Sequence, residues 1–194
     1  MRRPIIAIVL LSGFMAGASG AEPRVAAQSE GDDPLSHQVT GLLVDGGRIL
    51  KGFQIAPVPL NLQGKNRALV GLGSYIVNAQ GGCNDCHTAP PYQTGGDPYQ
   101  GQAEVINTAH YLAGGTPFGS VTSRNITPDS TGRPAGLTRE EFIQVMRTGR
   151  DPDQSDSILQ VMPWPVYGKM TDRDLAAIYE YLRAIPHADP PATP

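Results

Sequence analysis

A chain of 194 residues with a net charge of −3 has room for one domain of ordinary size plus extensions. It contains no lysine- or arginine-rich block, which argues against nucleic acid and anionic membrane as partners. Its 23 glycines and 18 prolines predict long irregular segments rather than a helical bundle.

Residues 1–21 read as an export leader. Arg2 and Arg3 precede an apolar run from Pro4 to Ala18, and the small residues Ser19, Gly20 and Ala21 supply a cleavage site. The run falls short of the roughly 20 residues that a membrane-crossing helix needs. Loss of Arg2 and Arg3 with the leader takes the chain from −3 to −5. The alternative is an uncleaved leader that serves as an anchor. Residues 22–66 form an extension with no role assigned from sequence.

From Arg67 the pattern becomes helical, with Leu69, Leu72 and Ile76 on one face, until Gly81-Gly82 stops it. Thr88 to Gly136 is dense in Gly, Pro, Asn and Thr. A loop of that length needs support beyond secondary structure, and a large flat apolar cofactor would provide it. Thr138-Arg-Glu-Glu141 is a capping box; Phe142, Val145 and Met146 follow as an apolar stripe, and Gly149 suits the helix end. A second loop, 150–169, contains Val161-Met162-Pro163-Trp164-Pro165. Thr171 caps a last helix whose apolar face is Leu175, Ile178, Tyr179 and Leu182, and Pro186 ends it. The domain is thus 67–187, with 188–194 a flexible tail. The first and last helices of this domain are expected to cross, Gly71 and Tyr75 meeting Tyr179 or Tyr181.

Cys83-Asn84-Asp85-Cys86-His87 is the C-x-x-C-H signature of c-type haem attachment. Thiols three residues apart lie about one helical turn apart, which suits two vinyl groups on neighbouring edges of a porphyrin. The adjacent histidine is then carried under the iron. A disulfide or thioredoxin-like site also uses C-x-x-C, but it does not require the histidine and it follows a strand, for which there is no sign here. A structural zinc site needs a second ligand pair, which the chain lacks.

His87 is expected to ligate iron through Nε2, its Nδ1 donating to a backbone carbonyl near Pro90 or Pro91. For the opposite axial position, three methionines follow the leader. Met146 sits on a helical stripe and reads as core; Met170 abuts the Thr171 cap and reads as a staple. Met162 lies in a proline-stiffened loop and is the favoured ligand, its thioether favouring ferrous iron. His110 is the rival. His37 and His187 read as solvent residues.

These residues resemble monohaem class I cytochromes c, and particularly the cytochrome c domains of bacterial alcohol and gluconate dehydrogenase cytochrome subunits. The resemblance runs from about Arg67 to Pro186. It rests on Gly73-Ser-Tyr75 before Cys83-Asn-Asp-Cys86-His87-Thr88, on Phe118-Gly119, and on Asn125-Ile-Thr-Pro-Asp129. Arg147-Thr-Gly149-Arg150, Met162-Pro163-Trp164 and the terminal helix complete it. It implies an all-α cytochrome c fold, with few helices and long loops around one covalent haem c, and His87/Met162 ligation of its iron. It further places the 125–129 stretch along the haem edge, where Arg124 or Asn125 would bond a haem propionate unless Asn and Pro there serve only a backbone turn. Trp164 would contact the haem or simply fill core volume. The dehydrogenase subunits carry three haem domains and a membrane anchor; this chain has one haem motif.

The resulting expectation is a periplasmic electron carrier, not itself an enzyme. It would cycle Fe(III)/Fe(II) between a dehydrogenase donor and an oxidase or reductase acceptor. The alternatives are a cytochrome subunit of a dehydrogenase complex and, behind it, a haem peroxidase or sensor.

Overall fold

A computed structural model describes residues 34–152 and 157–192. The leader assigned to 1–21 lies outside these residues, and so does the side chain of His37. Six helices carry the fold: α1 (Pro34–Ile55), α2 (Arg67–Tyr75), α3 (Cys83–His87), α4 (Arg139–Thr148), α5 (Trp164–Tyr167) and α6 (Asp172–Leu182). Among the described residues one sheet occurs, an antiparallel pair β1 (Pro117–Phe118) and β2 (Val121–Thr122), with Phe118 opposite Val121. The expected all-α class with long loops is what forms.

Helix α2 lies at the centre. Asn66 caps it, its Oδ1 accepting from the Leu69 amide at 3.2 Å. Val70 to Ser74 are buried. The helix runs on as a π-helical turn (Ile76–Gln80), which closes when the Gly81 amide donates to the Ile76 carbonyl at 2.7 Å. Gly82 then takes φ +58°, a left-handed conformation that suits glycine, and α3 starts at Cys83.

Two close helix crossings hold α2. Toward α6, a Cβ on Gly73 would stand 1.9 Å from the Ala177 carbonyl oxygen. Toward α1, a Cβ on Gly52 would stand 1.9 Å from the Gly71 carbonyl oxygen, and Gly71 itself abuts Ile49 and Phe53. The crossing of α2 with α6 is therefore as expected, but through different residues. Gly73 faces α6, whereas Gly71 and Tyr75 face α1, the Tyr75 ring lying under the Arg48 guanidinium at 5.3 Å. Two positions along a helix turn the face by about 200°, so glycines at 71 and 73 serve opposite neighbours.

Helix α1 falls inside the extension, where sequence periodicity gives no helix because Gly41, Gly46, Gly47 and Gly52 interrupt the stripe. Packing supplies what propensity withholds. Asp45 pairs with both Arg48 and Arg173 of α6, and Ser74 Oγ donates to the Gly52 carbonyl at 2.7 Å.

A buried polar chain continues from there. Asn78 Nδ2 donates to the Ser74 carbonyl (2.9 Å) and to Tyr181 Oη (3.2 Å). Tyr111 Oη donates to Asn78 Oδ1 at 2.5 Å and lies 3.0 Å from Tyr181 Oη. Burial raises the pKa of both tyrosines and keeps them neutral. Tyr179 points elsewhere, its hydroxyl donating to Leu137 O at 2.9 Å and its ring against Phe142.

The 88–136 stretch carries more of its own support than its composition implies. Tyr111, Leu112 and Ala113 are buried, Thr88 Oγ1 accepts from the Leu112 amide at 2.9 Å, and Tyr92 pairs with Ile106. The capping box forms in both directions, Glu141 accepting from the Thr138 amide and the Thr138 hydroxyl at 2.8 Å. Gly149 ends α4 at φ +68°. No described helix is long and apolar enough to cross a membrane.

Candidate functional site

One cavity of about 650 Å³ opens between the π-helical turn, α3, α4, α6 and the two long loops. Its wall is largely apolar: Ile76 and Val77 from the π-helical turn, Phe142, Val145 and Met146 from α4, Ile178 and Leu182 from α6. Into this wall α3 inserts Cys83, Cys86 and His87.

The sulfurs are unpaired thiols. Burial pushes the Cys83 thiol up to about 12, with further contributions from Cys86 and Asp85; burial and Asp85 raise Cys86 as well. Both are neutral at pH 7. Among the described residues no three His, Cys, Asp or Glu side chains stand together so that they alone could hold a metal ion.

His87 Nδ1 lies 2.8 Å from the Arg124 carbonyl oxygen. Nδ1 therefore carries the proton and donates, which leaves the lone pair on Nε2. Burial lowers the pKa of the ring, only partly offset by that hydrogen bond, so the neutral imidazole is favoured. The acceptor differs from the expected one. The Pro91 carbonyl is taken by Asn84 Nδ2 (3.2 Å) and the Asn107 main-chain amide (3.1 Å), and the Pro90 carbonyl by Asn107 Nδ2 (3.0 Å). His87 turns to a strand of loop 37 residues away.

The α3 turn is clamped from outside. Asp85 accepts from Tyr92 Oη at 2.8 Å and from Tyr99 Oη at 3.0 Å, and the two rings meet edge-on. Desolvation and the Asp85 carboxylate raise the pKa of Tyr92.

Met162 lines the cavity. Its carbonyl accepts from the Trp164 amide at 2.8 Å, and Pro163 and Pro165 stiffen the turn into α5. Met146 and Met170 line the same cavity, so all three methionines after the leader face it. His110 is not among the lining residues; its Nδ1 lies 2.7 Å from the Asp189 carbonyl.

Of the three further contacts expected, the cavity wall includes Arg124 and neither of the others. Asn125 donates to the Ala188 carbonyl at 2.8 Å, and its Oδ1 accepts from the Thr127 amide and hydroxyl. Trp164 packs on Gly149, where a Cβ would meet the indole at 2.4 Å. Each is committed to holding a loop. His187, read as a solvent residue, has Nδ1 2.8 Å from the Pro128 carbonyl. The segment after it, read as a flexible tail, begins with the hydrogen bonds at Ala188 and Asp189 already named.

Two wall residues escape sequence reasoning. Tyr167 donates its hydroxyl to the Gly81 carbonyl at 2.6 Å, tying α5 to the turn before Cys83. Burial, then the neighbouring Cys83 and Cys86 thiols, push its pKa up to about 12. Asp151 is buried and accepts from Arg124 Nη1 at 2.5 Å. A tyrosine in a proline-flanked run gives a weak signal, and Asp151 gives none.

No family model matches the chain. It is 34 % identical over 116 residues to the gluconate 2-dehydrogenase cytochrome c subunit of Pantoea cypripedii, covering 60 % of this chain and 23 % of that protein. It is 33 % identical over 133 residues to the cytochrome c subunit of alcohol dehydrogenase (quinone) from Gluconacetobacter polyoxogenes, covering 69 % and 24 %. The fructose dehydrogenase cytochrome subunit of Gluconobacter japonicus is 29 % identical over 148 residues, covering 74 % and 26 %. The chain thus spans about a quarter of the length of these relatives. With its small all-α fold around one apolar cavity, it is a homologue of dehydrogenase cytochrome c subunits and resembles their cytochrome c domains.

Proposed function

We propose that the chain is an electron-transfer protein holding one haem c, fastened by Cys83 and Cys86 and ligated by His87 and Met162. The observation that carries this reading is the convergence of two neutral thiols and one lone-pair imidazole nitrogen on a single apolar cavity. The cavity lies within the roughly 300–1,000 Å³ usual for cofactor sites. When bound there, a haem supplies reversible one-electron exchange at its iron.

The chain's own groups account for the rest. Cys83 and Cys86 would hold the group as thioethers, since addition of each S–H across a vinyl group would need no leaving group. Arg124 O fixes the His87 ring and its tautomer. The apolar wall from α4 and α6 excludes water. Met162 is preferred over Met146 and Met170 because its loop is set by Pro163 and by the Trp164 amide, not by a helical stripe or a cap. One C-x-x-C-H motif stands for one haem. The leader at 1–21 directs the protein to the periplasm.

The relatives' names favour one variant of this reading, a cytochrome subunit that accepts electrons from a dehydrogenase. The deciding experiment is a visible spectrum of protein expressed with periplasmic export, oxidised and reduced, together with its mass. A Soret band that survives acid-acetone extraction and the added mass of one haem are expected. Free or mutually bridged thiols without added porphyrin mass would refute the reading.

A further inference from the structure

Resting on the haem reading above, we infer that the segment after α6, His187 to Pro191, is a positioning strap: through Asn125 it sets the Arg124 carbonyl that holds His87. The segment lies outside the cavity wall, and its hydrogen bonds converge on the loop bearing that carbonyl.

The contacts run in sequence. Arg124 O accepts from His87 Nδ1, and the next residue, Asn125, spends its side-chain N–H on the Ala188 carbonyl at 2.8 Å. Thr127 Oγ1 takes the Ala188 amide at 3.3 Å. His187 Nδ1 meets the Pro128 carbonyl at 2.8 Å, and His110 Nδ1 meets the Asp189 carbonyl at 2.7 Å. Further along, a Cβ on Gly115 would stand 3.3 Å from Pro190 and from Pro191.

The neighbouring Gly114 shows how tightly the peptide at 124 is set. Its amide donates to the His87 carbonyl at 2.6 Å, and a Cβ there would stand 2.6 Å from the Arg124 carbonyl carbon. The imidazole and the main chain of His87 are thus bound to one small packet of loop, and the strap is its outer tie. A shorter, better aligned Nδ1–H···O=C bond makes the imidazole a stronger donor and favours Fe(III). Loosening the strap therefore raises the reduction potential, although none of its atoms lines the cavity.

The test uses the full-length haem-bearing protein and three variants: a stop after His187, Asn125→Ala, and the two combined. His110→Ala, which removes only the Asp189 tie, serves if the shortened chain fails to assemble. Midpoint potential and the hydrogen-exchange rate of the His87 Nδ1–H resonance are measured. Each variant is expected to shift the potential upward and to speed exchange, the double variant no more than the larger single one, because coupled sites are non-additive. An unchanged potential in the shortened chain or in His110→Ala overturns the inference, even if thermal stability falls. So do additive shifts in the double variant. A chain carrying no haem overturns both this inference and the reading beneath it.

Discussion

Arg124 and Asp151 join at 2.5 Å in the cavity wall, while the Arg124 main chain accepts from His87. One residue therefore connects the loop that orients the histidine with the loop that carries Met162. The second arm of the guanidinium, Nη2, donates to Ala135 O at 2.8 Å.

Asp151→Ala is expected to cost roughly 1–2 kcal/mol, since Arg124 is partly exposed and water softens the loss. Chemical denaturation measures it. The haem should remain attached, because no thiol depends on Asp151.

Met162→Ala should abolish the far-red band of a thioether on ferric iron and lower the reduction potential. Met146→Ala should destabilise the fold by about 2–4 kcal/mol, for that side chain is buried, and leave the band in place. The reverse pattern would assign the ligand to α4.

Gly73→Ala places a methyl group 1.9 Å from Ala177 O, against main chain that cannot step aside. The helices must part, and a loss of about 2–3 kcal/mol is expected from overpacking. Gly64→Ala is the contrasting case. It faces open space and should cost only the strain of its left-handed φ of +66°.

Tyr167→Phe removes one hydroxyl and leaves Gly81 O without its donor. Roughly 1–2 kcal/mol of stability should go with it. With haem bound, a looser distal loop should lose the thioether band at a lower pH than the parent protein, as a pH titration would show.

Glu141 gives a pH dependence of known sign. Hydrogen bonds from the Thr138 amide and hydroxyl hold its carboxylate below the ordinary value of about 4.5. A depressed folded value means stability that is present above pH 4.5 and lost as pH falls through the folded value. Glu141→Gln should flatten the acid limb of the stability curve.

Local signals were legible in the sequence because they are read within a few residues. The C-x-x-C-H turn, the Thr138–Glu141 box and the α6 stripe each fall in a short window, and each forms. What stayed hidden depends on distance along the chain. The acceptor for His87 lies 37 residues on, and the tie between Tyr167 and Gly81 spans 86. Helix α1 stayed hidden for the opposite reason. Its glycines weaken the local pattern, and Gly52 is there because another backbone occupies the space of a side chain.

That last contact fixes where a workable fragment can begin. A chain trimmed to start at Arg67 would strip Ser74 Oγ of its acceptor, bare the recess filled by Ile49 and Phe53, and leave Arg173 without Asp45. Transplanting this haem-motif unit into another scaffold therefore means taking the cut upstream of Asp45, so that the glycine-to-glycine seam travels with it.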